Sequence, residues 1–319
     1  MKSYSENNIR NIAIAGHTGK GKTALAEAMF YVAGVTDRLG RVIDGNTIMD
    51  YDAEEKKRKC SISAATASLE WRDTKINILD APGKFDFAGG MAESMRAADC
   101  ALIVTSASSG IDVGLEKAIK AADARNIAKF FAITKVDGEH RDFYKTFDTL
   151  KAHLGTKLCP VVVPYMNGGT CEAFVNLCSN KAFKYPNGRP VEIEIPTDDN
   201  IVAMRAALEE AVATVDEELM KNSSKANLLQ RKKLSRVLQR VLKQVKFILF
   251  MHFQLLRLTV VICSLTLSYT QLPHPIRLSL KSLRMQTVKM LKSYAQKKKI
   301  SLLFASRQFL TPSLVRCHS

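Results

Sequence analysis

The first half of this 319-residue chain predicts an α/β fold, a parallel sheet with helices on both faces. Three observations carry that expectation. Short apolar runs recur at Ile12 to Ala15, Ile76 to Leu79, Ala101 to Val104 and Phe130 to Ile133, and those after the first are separated by helical patterns. A glycine-rich segment lies between the first run and a helix-prone stretch. Finally, the chemically distinctive residues fall at the ends of the runs, where open α/β sheets bind ligands.

The first run ends at Gly16 and is followed by GHTGKGKT and then ALAEAMFYVA, which is strand, loop, helix. The second, Ile76-Asn77-Ile78-Leu79, runs into Asp80. The third follows a helical stretch, and the fourth runs into Thr134. From about residue 157 the texture changes. Pro160 to Pro164 and Val191 to Ile195 are expected as strands of a small α+β unit. Thr197 then opens a helix over DDNIVAMRAALEEAVATVDEELM, with acidic residues in its first turn and apolar positions every three to four residues.

The charge is divided unevenly. The formal net charge is +16, from 47 Lys plus Arg against 31 Asp plus Glu. Residues 221–319 hold 20 of the basic residues and none of the acidic ones, so residues 1–220 have 27 against 31, a net of −4. The first two-thirds is therefore an ordinary, slightly acidic protein rather than a nucleic-acid binder. Seven scattered cysteines, without a Cys-x-x-Cys pair, argue against a disulfide framework or zinc site and fit a reducing cytoplasm. The polar start, MKSYSENNIRN, has no apolar run behind it and does not read as a signal peptide. His252, Gln254 and Arg257 interrupt the longest apolar stretch, Phe247 to Leu267, which makes a poor membrane span.

Gly16-His17-Thr18-Gly19-Lys20-Gly21-Lys22-Thr23 matches G-x-x-x-x-G-K-[ST] between strand and helix. Glycines let backbone N–H groups wrap phosphates, and the helix N-terminus adds a favourable field. Lys22 would reach the β- and γ-phosphates, and the Thr23 hydroxyl would bind Mg²⁺. Asp80-Ala81-Pro82-Gly83 is weak alone but strong about sixty residues after a phosphate loop. Its Asp can hold Mg²⁺ through water, and its Gly N–H can sense the γ-phosphate. Thr134-Lys135-Val136-Asp137 supplies a carboxylate able to accept from guanine N1–H and the exocyclic amine, which adenine cannot match.

These motifs, in this order and at this spacing, resemble those of translational GTPases. Asp50-Tyr51-Asp52, Glu54-Glu55, Arg58, the run Ser61 to Thr66, Trp71, INILDAPG, DFAGGM and ALEEAVATVDEELM resemble elongation factor G over nearly all of residues 8–220. The resemblance implies a P-loop GTPase core at 1–155, an incomplete inserted subdomain at 156–220, GTP or GDP with Mg²⁺ as ligands, and the ribosome as partner of the intact protein. It also gives Ser61 the place of the switch threonine that binds Mg²⁺ in the triphosphate state. Two departures stand out. The histidine that positions the attacking water is Lys84 here, which cannot orient water as a neutral imidazole does but can stabilise charge on the γ-phosphate. Thr134 replaces the usual Asn. Slow intrinsic hydrolysis by a divergent bacterial paralogue is the expectation.

The resemblance stops at Met220. With Asp plus Glu at ~12% of ordinary sequence, 99 positions without either arise by chance only a few times in a million. The genetic code offers a cause. A reading frame displaced by one base turns GAA-GAA into AAG, so acidic stretches become basic ones. Reading the tail back permits E-F-F-E-G-E near 221 to 227, then T-x-E-E-I-I, then G-K-I-Y-P-V-Y-A-F-S-A around 245 to 255, and D-P-F-V-G-K-M-S near 310 to 317. These are elongation factor G segments in order, so residues 221–319 are expected to be a frameshift product without a native fold. A defective chain whose tail can be deleted without loss is then expected. The alternative is a stand-alone regulatory GTPase tethered to RNA or membrane by its basic tail. Lys297-Lys298-Lys299 would suit that role, but the tail lacks aromatic interleaving or an amphipathic repeat. Specific DNA binding is not expected.

Overall fold

A computed structural model describes residues 2–71, 73–108, 110–136, 141–155, 158–167, 170–178, 180–186, 191–213 and 248–252. All of these fall within one compact unit, Met1–Pro275. Its main sheet has seven strands. In spatial order they are β2 (Ala65–Trp71), β3 (Thr74–Asp80), β1 (Ile9–Ala15), β4 (Cys100–Ser106), β5 (Ala128–Thr134), β11 (Ile248–His252) and β6 (Leu158–Pro160). Every pairing is parallel except β2 with β3.

Burial explains this order. All seven residues of β4 and of β5 are buried, as a parallel strand covered on both faces requires. Their sequences, CALIVTS and AKFFAIT, are accordingly near-continuous small, apolar or β-branched runs. In β2, ATASLEW, buried positions are separated by exposed ones, the pattern of a strand with one wet face at a sheet edge. No apolar run announces such a strand, and the sheet is therefore mixed rather than wholly parallel.

Helices α1 (Lys22–Val32), α3 (Ala88–Ala97), α4 (Val113–Ala124) and α5 (Phe143–Leu154) cover the sheet, and the short α2 (Ala53–Arg58) lies in the connection before β2. Their starts are written locally. The Asp112 carboxylate accepts from Leu115 N at the head of α4, and Asp142 accepts from Lys145 N at the head of α5. Asp52 and Glu55 form a capping box on α2. The core fills with Leu25, Met29 and Phe30 from α1 and Ile14, Phe130 and Phe131 from the sheet, together with Phe143 and Phe147 of α5.

A second, antiparallel sheet follows, ordered β10 (Val191–Ile193), β9 (Lys181–Lys184), β8 (Thr170–Asn176) and β7 (Val162–Asn167). The run Pro160 to Pro164, expected as one strand of the small unit, is divided. Pro160 ends β6 in the main sheet and Val162 begins β7 in the second. Helix α6 spans Asp199–Ala213; the remainder of its expected length lies outside the described residues.

The tail holds one departure from expectation. Ile248–His252 forms β11, parallel to β5 over five positions and to β6 over three. A short apolar run of β-formers suits the slot between two strands, whatever the charge of its surroundings. Among the described residues, β6 bonds to the main sheet only through β11, and no helix is long and apolar enough to cross a membrane.

Candidate functional site

At the end of β1 the chain turns sharply. Gly16 has φ 137°, and a Cβ there would lie 3.2 Å from the Val104 carbonyl carbon and closer still to its oxygen, so the loop starts pressed against β4. The loop then closes on itself. Lys22, the first residue of α1, is buried, and its ammonium donates to the His17 carbonyl at 3.1 Å. Burial lowers its pKa, while the carboxylates of Asp80, Asp50 and Asp112 oppose that shift. Gly83, at the head of the segment after β3, faces the same point. A Cβ on it would come within 2.7 Å of Thr18 N and closer to Lys22 Nζ, so only glycine lets this segment approach the loop.

Beside this cradle, four side chains from four segments converge. The Thr23 hydroxyl donates to Asp80 Oδ2 at 2.6 Å, and the Ser61 hydroxyl donates to Asp50 Oδ1 at 2.7 Å. The two hydroxyl oxygens stand 3.2 Å apart. Either hydroxyl can donate to the other at that distance, so the two carboxylates and two hydroxyls form one polar cluster. The other carboxylate oxygens, Asp80 Oδ1 and Asp50 Oδ2, are buried without a hydrogen-bond partner among the described residues. Burial pushes Asp80 up to about 7 despite Lys22 and the bond from Thr23, and it raises Asp50 as well. Orphaned carboxylate oxygens and adjacent hydroxyl oxygens are the donor set of a hard divalent cation such as Mg²⁺, and the residues present fit one.

At the end of β5 the Thr134 hydroxyl lies 2.8 Å from the Lys20 carbonyl and 3.1 Å from that of Thr105, one proton shared between loop and sheet. Lys135 adopts a left-handed φ of 55°, and its ammonium donates to the Gly19 carbonyl at 2.8 Å. Lys20 pairs with Asp112 at 3.4 Å. Thr134 and Lys135 thus brace the phosphate loop. Asp137 lies outside the described residues. Lys84 is exposed at the start of a 3-10 turn over Phe85–Phe87. The Phe85 ring stacks obliquely on His17, with centroids 5.8 Å apart, and the Lys117 ammonium stands 4.1 Å above it.

Of the residues singled out in the sequence, Gly16 to Thr23, Ser61, Asp80, Gly83, Lys84, Thr134 and Lys135 all lie in or around one mouth at the carboxyl ends of β1, β3 and β5. Sequence reasoning gave no role to Asp50, Asp112 or Glu27. Asp112 carried a signal, a helix-capping aspartate after an apolar strand. The others show their role only through contacts with distant segments.

A parallel α/β sheet, a glycine loop leading into a helix, and a Thr–Asp pair at the adjacent strand end together define a P-loop nucleotide-binding protein. The comparisons narrow this further. Residues 7–306 match the family model of the elongation factor Tu GTP binding domain, a match that runs past Met220, where the resemblance read from the sequence was expected to stop, and the chain belongs to that family of translational GTPase domains. It is also similar to the crystal structure of ttk003000868 from Thermus thermophilus, at 30% identity and a TM-score of 0.77. That match covers 84% of this chain and 40% of the other, so the chain spans less than half the length of its structural relative.

Proposed function

We propose that this chain is the GTP-binding portion of an elongation factor G-type protein, a divergent paralogue that holds Mg²⁺ with GTP or GDP and acts on the ribosome. The observation that carries this reading is the convergence of Lys22, Thr23, Ser61, Asp50 and Asp80, with two buried carboxylate oxygens lacking partners among the described residues. Lys22 and the loop N–H groups bind the β- and γ-phosphates. Thr23 and Ser61 would hold the cation by their hydroxyl oxygens, with the carboxylate of Asp80 beside them. When bound, the ion neutralises charge on the phosphate oxygens. Gly83 brings its N–H to the γ-phosphate, and Lys135 with Asp137 frames guanine. The ammonium of Lys84 can stabilise charge on the γ-phosphate, but it offers no neutral base to orient water, so intrinsic hydrolysis to GDP and phosphate is slow. The test is a competition assay with fluorescent mant-GDP in Mg²⁺. GDP and GTP should displace it and ATP should not; displacement by ATP, or binding that Lys22→Ala leaves unchanged, overturns the reading.

For the tail, the frameshift is supported by 99 positions without an acidic residue and by the ordered segments that one displaced frame restores. Sequencing the source DNA across codons 210 to 235 decides it. A recovered base restores an elongation factor G reading frame there; an unchanged sequence makes the gene a disrupted copy.

A further inference from the structure

Glu27 is a buried carboxylate, 1% exposed, in the interior of α1. Among the described residues no cation pairs with it. Its Oε1 instead accepts from two backbone N–H groups of one loop, Ile48 N at 2.7 Å and Met49 N at 3.3 Å. The start of the same loop touches its other oxygen. A Cβ on Gly40 would run into Glu27 Oε2 and would stand 3.1 Å from the Asn46 carbonyl. The loop is tied internally as well, since Arg41 N donates to Asn46 Oδ1 at 2.7 Å. A lone carboxylate in so dry a place is costly, and an apolar side chain would fill it at less expense. Its two backbone hydrogen bonds give it a role beyond packing, that of holding the loop.

Thr23 and Glu27 are four residues apart on α1, one helical turn, and so lie on one face. Directly after Met49 comes Asp50, which receives the Ser61 hydroxyl, and Ser61 in turn faces Thr23. Asp50 N is itself held by the Thr47 hydroxyl at 3.2 Å. One turn of α1 therefore fixes both sides of the cation-binding group: Thr23 directly, and Asp50 through the loop that Glu27 clamps.

We infer that Glu27 is a positioning residue for the phosphate and cation site, acting through the backbone of Ile48 and Met49 to set Asp50 and Ser61 against Thr23. This rests on the reading of that site as one for Mg²⁺ and a guanine nucleotide. What it needs from residue 27 is an acceptor rather than a charge. Glu27→Gln keeps the acceptor in the same shape, whereas Glu27→Leu keeps the volume and removes it.

The experiment uses the full chain and two readouts. The first is mant-GDP dissociation across a Mg²⁺ titration; the second is amide hydrogen exchange at Ile48 and Met49 without nucleotide or metal. In Glu27→Leu the Mg²⁺ concentration that half-slows dissociation should rise by about tenfold or more, and both amides should exchange faster. Glu27→Gln should stay within about twofold of wild type in both. A folded Glu27→Leu protein, verified by thermal melting, with the wild-type Mg²⁺ midpoint overturns the inference. Should Glu27→Leu not fold, Gly40→Ala perturbs the clamp while keeping Glu27, and an unchanged midpoint there overturns it equally. If the wild type binds no mant-GDP, the functional reading fails by itself. The exchange rates then still decide whether Glu27 holds the loop, and unchanged rates in Glu27→Leu, or in Gly40→Ala should Glu27→Leu not fold, sink the clamp.

Discussion

Thr134 shows how much a single hydroxyl can carry. It is fully buried, and its one proton serves two carbonyls, Lys20 in the phosphate loop and Thr105 in β4. Thr134→Val changes shape very little but removes the hydroxyl from both contacts. The expected cost is about 1–2 kcal/mol of stability, measured by urea unfolding, with weaker nucleotide binding because the loop loses its brace. Asp80 makes a second residue-scale prediction. Its carboxyl, pushed from 3.8 up to about 7 by burial, keeps its proton in the folded protein where the unfolded chain has already lost it. Without metal, its contribution to stability is therefore fully present below about pH 4, declines as pH rises toward 7, and is gone above that. Burial raises Asp50 and Glu27 in the same direction, so their slopes add to it. Asp80→Asn should flatten the decline between pH 4 and 7 in thermal melts of the metal-free protein. An unaltered slope would show that Asp80 titrates normally. Mg²⁺ affinity in the wild type should rise over that interval, because the ion competes with the proton for the same oxygens.

At the scale of elements, β11 changes what the tail is worth. Removing residues 221–319 leaves β6 without its bonded neighbour in the sheet and exposes the edge of β5, a fully buried strand. Deleting the whole tail thus carries a cost that a reading of its charge alone did not anticipate. A chain ending at residue 260 should melt at least about 5 °C above one ending at residue 220, and the shorter chain should aggregate through its open edge. Equal melting temperatures would show that β11 contributes nothing to the fold. The elements that sequence reasoning found and missed differ for a physical reason. Strands β1, β3, β4 and β5 are covered on both faces, or nearly so, and thus contain predominantly apolar runs, broken in β3 only by Asn77. The edge strand β2 alternates, and Thr, Ser and Glu at its wet positions conceal it. The phosphate loop was legible because its chemistry is local, eight consecutive residues between a strand and a helix. The cation group was legible in part. Thr23 and Asp80 sit in motifs and Ser61 entered by resemblance, whereas the parts of Asp50 and Glu27 depend on a loop fastened across more than twenty residues.

For the molecule as a whole, the separation of charge sets the sharpest contrast between the two accounts of the tail. Residues 1–220 carry a net −4, and the remaining 99 add 20 positive charges with nothing to balance them. Such a segment attracts any polyanion, so RNA binding alone distinguishes nothing; its dependence on sequence and salt does. If about six of these cations contact phosphates, log K should fall by ~4 for each tenfold rise in salt on a single strand. Heparin should compete as effectively as RNA. Residues 261–319 hold 10 of the 20 basic residues, and a version with these 59 residues scrambled keeps every charge and destroys any recognition surface. A frameshift product should bind RNA equally well before and after scrambling, with the same salt slope, because only charge density acts. A tether shaped by selection should lose affinity or preference when its order is lost, by about tenfold or more for one well-made contact set. Because β11 lies before residue 261, the scrambled version keeps that strand's own sequence, and a change in binding cannot be blamed on altering it.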